Sequence, residues 1–476
     1  MTRRLTIIAL LTGAAALSAC NLAPGYVRPA GAVPAELPRG WPYPPAATDA
    51  ADPTRIGWRD FFTDARLRQV IGQGLANNRD LRVAAANVLQ ARAQYRVQRA
   101  DLVPTTTIGG SGTYTNNLFG AGGGGAGAGT GTGTNIEAYS ATAGFSAFEL
   151  DLFGRTRNLS RAALERYFAS EEAQRSARIS LIAEIASAWL TLASDRDQLA
   201  LAQETLKTFE QTLTLTRAQF RIGVASELEA RQAETNYQGA RNDIATLQKR
   251  VAQDGNALDL LVGAPVPAAQ LPEGLGDGKV TRDALPGDLS STVLLRRPDV
   301  LQAEHQLIAE NANIGAARAA FFPTISLTAT IGTLSTALSG LFGAGSFTYT
   351  GNPAVSLPLF DGGRNAGNLA YARASQQAAV ASYEKAIQTA FREVADALAT
   401  RGTIGEQIAA QTARADAAAA AARLSDARYR AGVDSFLVAL DAQRTDYAAR
   451  QQLLTTRLAR ASNLIELYRA LGGGLD

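Results

Sequence analysis

The chain of 476 residues repeats part of itself at a spacing of 209 residues. The segment FRIGVASEL at 220–228 is matched by YRAGVDSFL at 429–437, with five of nine positions identical. The same spacing pairs further residues, such as Gly154 with Gly363. Solenoid units repeat every ~20–50 residues, so this period is too long for one. The sequence therefore predicts two domain-sized halves, and a feature of one half should have a counterpart in the other.

Composition changes mark the boundaries of these halves. The predicted segments are a leader at 1–19, an extended Pro-rich segment at 20–60, a first repeat at 61–263, a linker at 264–290 and a second repeat at 291–476. The first half is ten residues longer, and the excess falls in the glycine-rich run FGAGGGGAGAGTGTGT. Length differences of this kind belong in exposed loops.

The first residues have the build of a bacterial secretory leader. Arg3 and Arg4 precede the apolar run LTIIALLTGAAAL, which is too short to span a bilayer as a mature helix. The run ends in Leu-Ser-Ala-Cys, which is similar to a lipoprotein box. We predict that Cys20, the only cysteine, carries lipid and becomes the mature N-terminus; the alternative is an ordinary cleavage site beside a buried free thiol.

Charge and histidine content argue against nucleic-acid binding and catalysis. The formal net charge is +3, and no basic cluster is present. His305 is the only histidine, which excludes a histidine-based metal site and a Ser-His-Asp triad. GGGGAG at 122–127 lies in a low-complexity loop and is not a dinucleotide motif. We therefore expect no cofactor and no enzymatic activity.

Long helices are predicted in both halves. Neither proline nor glycine occurs from Arg155 to Phe220, so a helix of ~60 residues would be ~90 Å long. Apolar residues recur every seven positions, which is typical of paired helices. They are Ile185, Leu192, Leu199, Leu206, Leu213 and Phe220 in the first half, and Leu440, Tyr447, Leu454, Ala461 and Tyr468 in the second. Gly223 and Gly432 permit a reversal in each half.

Strands are predicted between the helices, as hairpins at 105–150 and 324–360. In TISLTATIGT, apolar residues alternate with Thr and Ser over about ten residues. That pattern is typical of a transmembrane β-strand, although a soluble half-buried hairpin gives it too. Four strands per chain cannot close a barrel in lipid, and known barrels begin at eight strands. The fold class is thus an α+β membrane protein in which several chains share one barrel, and three chains would give twelve strands.

Several short segments are distributed along the chain: the box ending in Cys20, PGYVRP, WRDFF, RRPDV, FFPTISL, LPLFDGGR and YRAGVDSFLVALDAQR. Taken together, these segments resemble the TolC-like outer-membrane factors, in the lipoprotein branch that serves tripartite efflux pumps. The resemblance covers nearly the whole mature chain. It implies a homotrimer with a twelve-strand outer-membrane barrel that continues into a long periplasmic α-helical barrel. It also implies two partners, a periplasmic adaptor (membrane fusion) protein and an inner-membrane pump of the RND type.

Functional residues follow from the resemblance position by position. The hairpin tips that meet the adaptor would be Arg221, Gly223, Val224 and Ser226, and Arg430, Gly432, Val433 and Ser435. The periplasmic gate would contain Asp441 and Tyr429, and three copies of Asp441 near one axis would repel each other. The first half has Gln232 at the position equivalent to Asp441, so this site contributes three charges rather than six.

The predicted function is a passive exit duct for drugs or other small molecules. One alternative is the same duct in type I protein secretion. Another is a trimeric adhesin or structural coiled coil, which would need neither matched hairpins nor a gate.

Overall fold

The computed structural model describes residues 21–43, 56–117, 134–276, 280–282 and 290–473. The helices are α1 (Trp58–Phe61), α2 (Ala65–Asn77), α3 (Arg79–Ala100), α4 (Arg155–Arg221), α5 (Glu227–Val262), α6 (Pro298–Ala319), α7 (Arg364–Arg430) and α8 (Phe436–Ala470). The strands are β1 (Thr107–Asn117), β2 (Thr134–Glu149), β3 (Thr324–Ser335) and β4 (Phe347–Ser356). Short 3-10 turns lie at Ala268–Gln270, Ser291–Arg296 and Leu338–Gly340.

The order of elements repeats. The series α3-β1-β2-α4-α5 is followed by α6-β3-β4-α7-α8. The equivalent helices α4 and α7 have 67 residues each, and α3 and α6 have 22 residues each. The internal repeat therefore extends to the length of the helices.

The seven-residue pattern marks much of the packed face of the helices. Ile185, Leu192 and Leu213 of α4 are buried, as are Leu440 and Tyr468 of α8. Phe220 was expected on the same face but is 44% exposed. The reason is local: α4 ends one residue later, so Phe220 lies in the last turn, beyond the packed part of the helix.

One of two compact units contains the sheet. This unit comprises the described parts of Met1–Arg28, Leu89–Ala169 and Glu304–Ala381. Its four strands are antiparallel in the order β1-β2-β3-β4. β2 has 16 residues, more than the ten expected, and its pairing with β3 shifts between Phe145 and Phe148. Ala147 has a φ of 52° at this bulge, and its N–H is bonded to Thr328 Oγ1.

The pairing register separates the side chains into two faces, because directly paired residues lie on the same face. One face is apolar and aromatic and carries Ile108, Tyr114, Tyr139, Phe145, Phe148, Leu327, Ile331, Phe347, Tyr349 and Val355. The other carries small polar residues, and Ser111 pairs there with Ser140 and Thr330 with Thr350 through side-chain hydrogen bonds of 2.8 and 2.6 Å. Many apolar side chains are exposed, Ile108 at 91% and Tyr349 at 76%.

Pairing ends at the outer strands. Within the described residues, β1 pairs only with β2, and β4 pairs only with β3. Each outer strand thus has a row of backbone groups with no strand opposite them. A sheet in this condition is a template for another strand.

The second unit comprises the described parts of Pro29–Val88, Ser170–Ala303 and Ser382–Asp476. Arg297, from the RRPDV segment, is buried there and binds Asp299 and Glu393 at 2.7 and 2.9 Å. It also donates to the carbonyl of Ala470 at 2.6 Å. Phe61, from the WRDFF segment, stacks on Tyr468 with ring centroids 4.0 Å apart. Both segments therefore hold the C-terminal end of α8 in place.

Among the residues that the structure describes, one helix has the length and composition of a membrane span. It is α4, where one 18-residue window has a mean hydropathy of 1.2. Half of that window is buried inside the protein, as expected for a core helix.

Candidate functional site

The site predicted from the sequence consists of two hairpin tips, and both lie in the second unit. Tip 1 is defined here as residues 219–232, where α4 reverses into α5. Tip 2 is residues 428–441, where α7 reverses into α8. The two ranges are equivalent in the 209-residue repeat.

The backbone reversal is the same in both tips. In tip 1, the N–H groups of Gly223 and Val224 donate to the carbonyls of Phe220 and Gln219 at 3.0 and 2.9 Å. In tip 2, those of Gly432 and Val433 donate to Tyr429 and Arg428, both at 2.9 Å. This pair of bonds is the Schellman motif, which satisfies the last helical carbonyls. The two glycines have φ values of 77° and 71°, in the left-handed region, which residues with a Cβ rarely adopt.

Tip 1 is closed by its own side chains. Ser226 is the N-cap of α5, and its Oγ accepts from the N–H of Glu229 at 3.2 Å. Glu229 Oε2 accepts in return from the N–H of Ser226 at 2.7 Å. This capping box satisfies two N–H groups that the helix itself leaves unpaired. Of these two residues, only Ser226 is among the predicted tip residues; the sequence signal for Glu229 is the S-x-x-E spacing, which is typical of a capping box.

Tip 2 has no capping box. Its N-cap, Ser435, makes no side-chain bond to the helix, and position 438 is valine. Instead, Arg428 binds Asp434 through two hydrogen bonds of 2.6 and 2.8 Å across the turn. The hydrogen bonds from Arg428 hold the pKa of Asp434 below its usual value. Sequence reasoning missed this pair, because Arg428 and Asp434 have no paired counterpart in tip 1, where the residues are Gln219 and Ala225.

Tyr429 connects tip 2 to α4. Its hydroxyl donates to Gln219 Oε1 at 2.6 Å, and its ring lies 5.6 Å from that of Phe436. Burial raises the pKa of Tyr429, so the hydroxyl stays protonated and remains a donor. Tyr429 packs on a cluster of Leu213, Ala233, Phe436 and Leu440, in which Phe436 is only 1% exposed.

Asp441 lies on α8 but does not join this cluster. Its side chain is exposed, and in the part of the chain that the structure describes it forms no ion pair. Its equivalent in tip 1, Gln232, is half-buried. The structure thus places Tyr429 of α7 in contact with Gln219 of tip 1 and Phe436 of tip 2, while Asp441 is exposed on α8.

Apolar side chains protrude from both tips. In tip 1 they are Ile222, Val224 and Leu228, and in tip 2 they are Val433, Leu437 and Val438. Val224 is 72% exposed and Val433 is 62% exposed. Several exposed apolar groups on one small protrusion are typical of a contact surface.

Other residues from the sequence analysis lie elsewhere. Cys20 and the GGGGAG run fall outside the described residues. His305 lies on α6 with its Nδ1 2.7 Å from Glu165 Oε2, so it is a paired helix residue. No group of metal-ligating side chains was found among the residues that the structure describes.

A family model described as outer membrane efflux protein matches residues 70–264 and again residues 289–473. The chain belongs to the outer membrane efflux protein family. This membership makes it an outer-membrane channel that serves efflux and extends into the periplasm, in a family of channels rather than enzymes.

Relatives of this efflux protein match over nearly their whole length. The toluene efflux pump outer membrane protein TtgC of Pseudomonas putida is 44% identical over 472 residues, which cover 98% of this chain and 96% of TtgC. The cation efflux system protein CusC of Escherichia coli is 42% identical over 465 residues, covering 97% of this chain and 98% of CusC. The open state of the MtrE outer membrane channel of Neisseria gonorrhoeae superposes with a TM-score of 0.84 at 38% identity, covering 96% of this chain and 99% of MtrE.

Proposed function

We propose that three copies of this chain form one outer-membrane duct of a tripartite efflux pump, through which small molecules leave the cell passively. The observation that carries the proposal is the sheet, which has one apolar exposed face and no strand opposite β1 or β4 in the described chain. Lipid does not tolerate open edges, so the edges must pair between copies. Three copies give twelve strands, and the helices of the repeats would continue the barrel into the periplasm.

The cargo is proposed as a class only. TtgC is named for toluene and CusC for cations, so ducts of similar sequence serve chemically different pumps. The selection of drugs or other small molecules would then belong to the inner-membrane pump, proposed to be of the RND type. Deletion of the gene should lower resistance to the pump's substrates. Expression of the wild-type chain should restore this resistance, whereas expression of a chain lacking β4 should not.

The assembly state provides the direct test. Native mass spectrometry of the purified protein in detergent should give a trimer, and reconstitution into planar bilayers should give conducting pores. A stable monomer without pore activity contradicts the proposal.

Asp441 is proposed as the gate carboxylate, and Tyr429 as a second residue of the gate. An exposed carboxylate repeated three times about an axis attracts cations and repels its copies. Asp441→Ala should therefore change the conductance and its block by multivalent cations in planar bilayers. Gln232→Ala, at the equivalent position of tip 1, is the matched control. Identical conductance and cation response in Asp441→Ala and the wild type would remove Asp441 from the gate.

The tips are proposed as the docking site of a periplasmic adaptor protein. The support is their protruding apolar side chains, which a partner hairpin would cover. Val224→Asp and Val433→Asp should each reduce adaptor capture in a pull-down. Leu260→Asp changes an equally exposed apolar residue at the far end of α5 and should leave capture unchanged.

Cys20 is proposed as the lipidated N-terminus. Mass spectrometry of the mature protein should give an N-terminal peptide that begins at Cys20 and carries acyl groups. An unmodified thiol at this position would exclude the anchor.

A further inference from the structure

The first described residues, 21–28, lie along α6 as an extended strap. Arg318 donates to the carbonyl of Leu22 at 3.0 Å, and Asn311 donates to that of Pro24 at 2.8 Å. At the other end, Glu304 accepts from the hydroxyl of Tyr26 at 2.9 Å. The strap and these three side chains all belong to the first unit.

The three partners on α6 share one face of the helix. Residues 304, 311 and 318 are seven positions apart, which is about two turns. The strap therefore meets a ladder of polar groups of fixed spacing. A contact of this kind sets the register of the strap along the helix, because a shift of the strap would separate each carbonyl from its donor.

A glycine on the same helix sets how close the strap approaches. A Cβ at Gly315 would lie 2.7 Å from the Cβ of Ala23 and 2.6 Å from Nδ2 of Asn158. Asn158, on α4, also donates to the side chain of Asn21 at 2.9 Å. Ala23 thus sits in a notch that only glycine leaves open, and Asn21 is held from the side by α4.

The ladder is chemically incomplete without the strap. The side chain of Glu304 is 8% exposed and receives two bonds from the Arg28 guanidinium, at 2.8 and 2.7 Å. Among the described residues, every hydrogen-bond partner of this carboxylate belongs to the strap. A buried charge without partners is strongly unfavourable. Glu304 therefore stabilises the state in which the strap is docked on α6 relative to the state in which it is released.

We propose that Glu304, Asn311, Gly315 and Arg318, together with Asn158, form an N-terminal clamp that fixes where the mature N-terminus enters the membrane. The clamp ends beside the last turn of α6, five residues before β3 begins, so Asn21, which follows Cys20 in the sequence, is held at that end of the helix. The role toward lipid rests on the proposed acylation of Cys20. The clamp itself does not, since its contacts begin at Asn21.

Cysteine labelling tests the clamp in the full-length protein. Ala23→Cys puts a thiol in the notch, and Val27→Cys puts one on the exposed side of the same strap. A maleimide should react slowly with Ala23→Cys and rapidly with Val27→Cys. Introducing Arg318→Met and Asn311→Leu together into Ala23→Cys removes two hydrogen bonds to the strap. The reaction at position 23 should then become about tenfold faster, which corresponds to the loss of one or two hydrogen bonds. Arg318→Lys keeps a donor and should restore slow labelling.

Two controls keep the outcomes distinct. Gln306→Ala changes an exposed residue of α6 that lies off the ladder, and it should not alter labelling. Labelling at position 23 that is equally fast in the wild-type background and in the ladder variants overturns the clamp. The same labelling in a Cys20→Ser protein separates the two proposals: protection at position 23 that survives the loss of Cys20 supports the clamp, whether or not the wild-type chain proves to be acylated.

Discussion

In both tips a 67-residue helix ends in the same two backbone hydrogen bonds, but side chains at equivalent positions have different contact partners. Tip 1 is closed by the capping box of Ser226 and Glu229. Tip 2 is held by the Arg428–Asp434 pair, by Tyr429 on α4 and by the buried Phe436, whose equivalent in tip 1 is the exposed Glu227.

The difference shows what a reversal requires. A glycine in the left-handed region and two free carbonyls are sufficient for the turn, so the remaining positions can diverge. The turn of tip 1 is closed by the capping box within tip 1, whereas Tyr429 and Phe436 of tip 2 contact residues of α4 and α5.

The largest expected effect comes from Phe436. Phe436→Ala removes a buried ring from the cluster and should lower the local free energy of opening of tip 2 by about 3–5 kcal/mol. Hydrogen exchange of peptides spanning residues 428–441 measures this loss. Leu437→Ala, which truncates an exposed neighbour, should cost less than about 0.5 kcal/mol. Equal losses for the two variants would mean that tip 2 is not held by this cluster.

The next effect should be the same in both tips. Gly223→Val and Gly432→Val each force a β-branched side chain into the left-handed region, which costs about 1–2 kcal/mol or more. Apart from the two adjacent residues, no heavy atom of the described chain lies within 4 Å of a Cβ at either glycine, so the cost is backbone strain without a clash. Hydrogen exchange should therefore show matching losses at the two tips. A loss at one tip alone would contradict the equivalence of the turns.

Loss of the N-cap serine should affect the two tips differently, because only tip 1 has a capping box. Ser226→Ala removes the side-chain acceptor of α5 and should weaken the start of that helix by about 1 kcal/mol. Ser435→Ala removes a side chain that makes no such bond, so the start of α8 should keep its protection. Exchange rates of the first-turn amides of α5 and α8 give the comparison directly. Similar losses in both helices would argue against a box confined to tip 1.

The smallest effect is a weakening of tip 2 at acidic pH that depends on Asp434. The pKa of Asp434 is lowered, chiefly by the hydrogen bond from Arg428, so its charged form stabilises the folded turn. This contribution is present above the ordinary pKa of an aspartate, about 4, and is lost as the pH falls through the lowered value. Exchange at tip 2 should accelerate in that acidic range relative to tip 1. Asp434→Asn should abolish the difference, and a pH response that persists in this variant must come from another group.

Much of the fold can be predicted from the sequence because it depends on local rules. The absence of proline and glycine gives α4, the alternation of residues gives the two faces of the strands, and the glycines of the repeat give the turns. Phe220 marks the limit of the seven-residue pattern, which continues in the sequence beyond the packed part of the helix. For the candidate site, the tip residues could be found from the repeat, but Gln219 as the partner of Tyr429 could not, since that contact joins residues 210 positions apart.

By itself, the sequence determined that the chain has two equivalent halves, where each half reverses and which side of β3 is apolar. These features depend on backbone conformation and side-chain periodicity, which neighbouring residues set. Only the tertiary structure decided that Phe436 is buried while Glu227 is exposed, that Arg428 closes tip 2, and that α6 holds residues 21–28 through Glu304, Asn311 and Arg318. Each of these depends on which distant helix face is opposite, because desolvation and hydrogen bonding act between groups that the fold brings together.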